Sequence, residues 1–184
     1  VIAEGGLHSL IGLLAFTLAV AGYFIIAESL ADPLEGQPAS KQQTRSANNV
    51  LPLTIALMVL SYLPVLSACL EAWKGTVYNQ YDTFGYIFFL AGLVGWCWFW
   101  QGTELDTRRV RQGAILYGLA SIAAVLSQIP GPNYYLLGVT LMLSFFALSL
   151  AYRNLSFALQ AWPFQFVMFL SFPKVSEIIN FFLG

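Results

Sequence analysis

Few side chains in this 184-residue chain are able to do chemistry, so each is worth asking what it would do. His8 is the only histidine. An imidazole in an apolar helix ligates a metal, a haem iron or a chlorophyll magnesium. His8 is therefore the candidate pigment or metal ligand, set against the plainer expectation that it faces water or headgroups. Glu28 and Glu71 lie closest to long apolar runs, where an ionisable group is costly and often functional. They are candidate substrate or coupling residues. Glu71 has Lys74 three residues on, the spacing of a local ion pair, whereas Glu28 has no such neighbour. Gln160 and Gln165 are the remaining candidates for a substrate path. With Thr140, Ser144 and Ser149 they equally suit hydrogen bonding between helices. Arg108, Arg109 and Arg111 form a basic cluster fit for anionic headgroups or a docking partner.

The remaining inventory is thin. Cys69 and Cys97 are the only cysteines; placed on neighbouring helices at different depths, they are not expected to bridge, and both read as small apolar packing residues. The chain has no glycine-rich phosphate loop, dinucleotide fingerprint, His-Glu-x-x-His, Cys-x-x-Cys or serine elbow. No metal site is expected, an enzyme is not the expected reading, and nothing suggests nucleic-acid binding. Any cofactor is expected to be bound lipid or pigment.

The elements that must hold these residues follow from where charge is missing. The chain is 58% hydrophobic and 9% charged, with a mean hydropathy of +0.71. Soluble domains carry about 25% charged residues, so a single integral membrane domain over 1–184 is expected. Residues 5–27, 46–70, 83–103 and 154–173 contain no charge, and each is about the 20 residues that one span requires. The uncharged run 112–152 suits two spans, divided by the breaker cluster Ile129-Pro130-Gly131-Pro132-Asn133. The expected fold is all-α: six transmembrane helices in three hairpins, at about 7–30, 50–73, 84–102, 113–129, 134–152 and 155–173. A five-span form, with its proline-containing last segment lying in the interface, is the structural alternative. The polar stretch 32–49 reads as a solvated loop. Small residues at 15 and 19, and at 120 and 124, offer faces for close helix approach. Trp96, Trp98 and Trp100, together with Trp73, Tyr78, Tyr81, Tyr134 and Tyr135, read as interfacial aromatic belts.

Orientation follows from the basic residues. Six spans put Lys41, Arg45, Arg108, Arg109, Arg111 and Arg153 on one side, leaving Lys74 and Lys174 opposite. Both termini are then expected on the non-cytoplasmic side, and Val1 in place of Met is expected to mark a processed or trimmed start. The expected function is a non-catalytic accessory or scaffold subunit of a larger membrane complex, in contact with the bilayer, with other membrane subunits and with pigments or lipids. The alternative is a small-solute channel or substrate-binding transporter subunit, suggested by span number and chain length alone.

Overall fold

The computed structural model describes residues 14, 16–26, 41–62, 69–70, 73, 85–101, 106, 108–127, 133–172 and 175. Among them are seven helices and no strand, so the chain is all-α. We number these helices α1 (Phe16–Ile26), α2 (Lys41–Ser61), α3 (Gly85–Gln101), α4 (Val110–Leu126), α5 (Tyr134–Tyr152), α6 (Leu155–Gln160) and α7 (Trp162–Phe169). Only α5 is both long and apolar enough to cross a membrane by itself, and 61% of its most apolar window is buried inside the bundle.

Helix α5 is the hub. Asn133 caps its start, the side-chain oxygen accepting from the Leu136 N–H at 3.1 Å. Its buried residues, among them Leu137, Leu141, Ser144, Phe145, Leu148 and Tyr152, cover most of its surface, and Leu136, Val139, Leu143 and Phe146 form the face left partly open. A helix apolar on this face too is one that others largely surround.

Pairwise contacts fix the direction of its neighbours. Tyr62, in the turn just past α2, and Thr54 within α2 meet Ser144 and Tyr152 of α5 respectively, so those two helices run antiparallel. Gly113 of α4 lies against Ala151 and Ala147 of α5, where a Cβ on Gly113 would come within 2.5 Å of the Ala151 Cβ, so this pair is antiparallel as well. Trp96 and Trp100 of α3 meet Ser149 and Arg153, making α3 parallel to α5. Gly92 and Gly95 of α3 admit the α7 backbone and ring at Met168 and Phe164. Successive elements α2, α3, α4, α5 and α6–α7 therefore alternate in direction, as hairpins require. The glycines are what let these backbones approach.

Three segment boundaries differ from the sequence reading. Helix α2 ends at Ser61, with a turn at Tyr62, where the expected span ran on to 73. Helix α2 begins at Lys41, inside the stretch 32–49 read as a loop. Between 41 and 51 there is neither proline nor glycine, and Lys, Gln, Arg and Ala all favour helix. Since Thr54 is level with the last residue of α5, the part of α2 from 41 to 53 continues for about 20 Å of helix past that level. The last expected span, 155–173, is not one continuous helix. It breaks at Ala161, because Pro163 has no N–H to give to the carbonyl one turn back and restarts the chain near the beginning of α7.

Gly113→Val should destabilise the bundle by about 1–3 kcal/mol through overpacking against Ala147 and Ala151. Thermal unfolding in mild detergent would read this as a lowered midpoint; an unchanged midpoint would show that α4 and α5 do not approach so closely.

Candidate functional site

A line of hydrogen bonds follows α5 through the middle of the bundle. Thr140 donates to the Leu137 carbonyl at 2.9 Å, and Ser144 donates to the Thr140 carbonyl at 2.9 Å. The Ser144 hydroxyl also pairs with the Tyr62 hydroxyl at 3.2 Å. Further along, Ser149 donates to the Phe145 carbonyl and receives the Trp96 indole N–H at 3.1 Å. The Tyr152 hydroxyl meets Thr54 at 3.4 Å. Short Ser and Thr side chains close bonds onto their own helix and keep an oxygen for a neighbour. In this way α5 is tied to α2 at two levels and to α3 at a third.

At the end where α3 and α5 stop, the structure builds a second cluster. Trp96 and Trp100 sit 4.6 Å apart, Trp96 meets Phe145 edge-on at 5.0 Å, and Phe157 meets Trp100 edge-on at 5.4 Å while stacking on Phe99. Arg153, only 6% exposed, lies over the Trp100 ring at 4.8 Å and donates from Nη2 to the Trp100 carbonyl at 2.9 Å. Burial lowers the Arg153 pKa, yet a guanidinium remains charged at any accessible pH. Ring face and carbonyl supply the compensation that a desolvated cation needs. The Asp106 N–H donates to the Tyr152 carbonyl at 3.0 Å, bringing the turn before α4 to this same end. Arg108, 92% exposed, makes a loose 3.8 Å contact with Asp106, which contributes little to stability.

The candidate residues separate accordingly. His8, Glu28 and Glu71 lie outside the described residues. Arg108, Arg109 and Arg111 are exposed at the start of α4, at the same end of the bundle as Arg153. The two glutamines are not brought together. Gln160 is exposed and donates to Ser156 on its own helix. Gln165 is 0% exposed, and neither of its amide atoms has a hydrogen-bond partner among the described residues.

Of the hydroxyls expected to join helices, Ser144 and Ser149 do so. Trp96, Trp100 and Trp73 are corrected from belt to core: the first two pack inward, and the Trp73 indole donates to the Ser171 carbonyl at 2.8 Å. Of the three tryptophans on α3 only Trp98 faces outward. Cys69 is buried and Cys97 exposed, and neither is in a disulfide, so Cys97 is not a packing residue. Sequence reasoning missed the burial of Arg153, whose signal was a lone arginine directly between two apolar helices. Among the described residues no three His, Cys, Asp or Glu side chains gather where a metal would be held. No family model, curated protein or solved structure matches the chain.

Two substitutions should move stability in opposite directions. Ser144→Ala removes one partner of the buried Tyr62 hydroxyl and should cost about 1 kcal/mol, whereas Gln165→Met removes two polar atoms that have no partner among the described residues, at similar volume, and should gain about as much. Unfolding midpoints in detergent check both. A loss on Gln165→Met would mean that the amide is engaged by something outside this chain.

Proposed function

We propose that the chain is a polytopic membrane protein of six spans in three hairpins, acting as a non-catalytic accessory or scaffold subunit of a larger membrane complex. The observation that carries the membrane part is an apolar outer surface around a core that also holds polar groups. Thr54, Thr140, Ser144, Ser149 and Gln165 are buried, while Val94 is 64% and Trp98 72% exposed on the outer face of α3. Leu119, Ile122 and Leu126 line the outside of α4 in the same way, and Phe24 that of α1. In water this much outward apolar side chain would be a cost; in hydrocarbon, buried hydroxyls and outward Leu, Val and Trp are the favourable arrangement.

The lengths of three of the helices agree with this reading. At 1.5 Å per residue the 17 residues of α3 and α4 and the 19 of α5 span about 25–29 Å, close to a hydrocarbon core of about 30 Å. The charge distribution agrees as well. The alternation of helices gathers the starts of α2 and α4 and the end of α5 at one end of the bundle, and with them Lys41, Arg45, Arg108, Arg109, Arg111 and Arg153. That end is the cytoplasmic side of the proposal, with both termini opposite.

The accessory role is supported by how the interior polar groups are used. Tyr62, Ser144, Ser149, Thr54 and Tyr152 bond to one another or to helix backbone, as packing groups do. The outer apolar face is what such a subunit would offer to lipid, to pigment or to neighbouring subunits. A second reading, a small-solute channel or substrate-binding transporter subunit, is favoured by one observation, Gln165 without a partner among the described residues beside the helix break at Ala161. Discontinuous helices line substrate sites in transporters.

Purification in mild detergent followed by a subunit gel and an absorption spectrum tests the proposal. Stoichiometric co-elution with other membrane subunits is the expected result. A colourless, monodisperse protein that elutes alone and carries solute across vesicle membranes, with flux lost on Gln165→Leu, would replace it with the second reading.

A further inference from the structure

An apolar slot of about 310 Å³ runs between α1 and α4. Phe16, Ala19 and Tyr23 form one wall, and Ile115, Gly118 and Ile122 the other; on each helix these positions repeat every three or four residues, so each wall is one helix face. The slot exists because its floor is small. Ala19, Gly118 and Ser121 leave room that larger side chains would fill. It does not widen into a gap, because the helices touch beside it. A Cβ on Gly118 would sit 3.0 Å from the Tyr23 ring, and one on Gly22 would sit 3.0 Å from the Tyr117 hydroxyl.

From this geometry we infer that the slot binds one lipid acyl chain. The inference rests on the membrane reading above and adds a specific ligand site to it. Size decides between occupants. Seven residues of helix give a slot about 10 Å long, so 310 Å³ implies a mean cross-section of about 30 Å². A helix with side chains is about 10–12 Å across and is far too wide. An extended hydrocarbon chain is narrow enough. Polarity points the same way. The Ser121 and Tyr23 hydroxyls are the polar side-chain groups of the lining and no ionisable group contributes, so water has little to bond and such a cavity stays dry. The surroundings supply the ligand: Phe24, Leu119 and Ile122, at the mouth or beside it, are exposed apolar side chains that the membrane reading places in lipid.

The test uses the full chain reconstituted in phosphatidylcholine vesicles containing a small fraction of phosphatidylcholine with a diazirine on its acyl chain. After illumination, mass spectrometry maps the adducts. Labelling on Phe16–Tyr23 and Ile115–Ile122 is expected several-fold above that on the more exposed Val94 and Trp98 of α3. Ala19→Phe and, independently, Ser121→Leu fill the slot and should abolish this enrichment, while Ser121→Ala should retain it. Labelling that simply follows exposure, or enrichment that persists in a folded, filled variant, would overturn the proposal. So would protection of the slot by a co-purified subunit, which would make a partner the occupant. Alkaline carbonate extraction of the same vesicles separates the two failures. Release of the protein contradicts the membrane reading, whereas retention without enrichment contradicts only the acyl-chain site.

Discussion

The constraint from which the rest of this structure follows is the buried face of α5. Along Leu137, Thr140, Leu141, Ser144, Leu148 and Ala151 the helix is closed off by its neighbours, so each polar atom there must be satisfied by a neighbour or by its own backbone, while Leu136, Val139, Leu143 and Phe146 turn outward. Ser144 answers Tyr62, Ser149 answers Trp96, and Tyr152 answers Thr54. These are single bonds of modest individual worth, and in apolar surroundings the alternative is a stranded polar group. They fix which helix stands at which level of α5. The glycines then set how near it stands: Gly113 brings α4 to Ala147 and Ala151, and Gly138 receives the Phe169 and Phe172 rings. Direction, level and distance are specified by different residue types.

The two ends of the bundle are built differently. One end is closed by an aromatic and cationic cluster, with Arg153 held over Trp100 and the arginines at the start of α4 exposed beside it. At the other, the Trp73 indole reaches the Ser171 carbonyl, and Gly85 makes room for that contact. Such asymmetry suits the proposed reading, in which one end is cytoplasmic. In the proposed membrane reading Arg153 belongs at the level of the headgroups, where a cation on an aromatic face costs least.

Much of the fold was legible because charge acts by exclusion. The uncharged run 83–103 contains α3, and the run 112–152 holds α5 and all but the first two residues of α4; in the proposed membrane reading an ionisable group inside any of them would be costly. The break between α4 and α5 was legible because two prolines and a glycine crowd 130–132. What remained hidden depends on rotation about a helix axis. Trp96 and Trp100 share a face by their spacing, but nothing in one sequence says that this face turns inward while Trp98 turns out. Gln160 and Gln165 looked alike as polar residues of one segment, and the turn at Ala161 sends one to the surface and the other into the core. The start of α2 was hidden for the opposite reason: a polar run without glycine or proline suits a helix as well as it suits a loop.

Cys97 gives the most direct test of the central claim, that the outer face of this bundle is a lipid face. It is exposed on α3 beside Trp98, whereas the only other cysteine, Cys69, is buried. The measurement is the rate at which a membrane-impermeant maleimide modifies the chain in sealed vesicles, compared with its rate in detergent after partial unfolding, with Arg109→Cys as a water-facing reference. The account predicts that Cys97 stays unmodified in vesicles under conditions where the cysteine at 109 reacts from the side it faces. Modification of Cys97 as fast as that of the reference would place α3 in water and contradict the account.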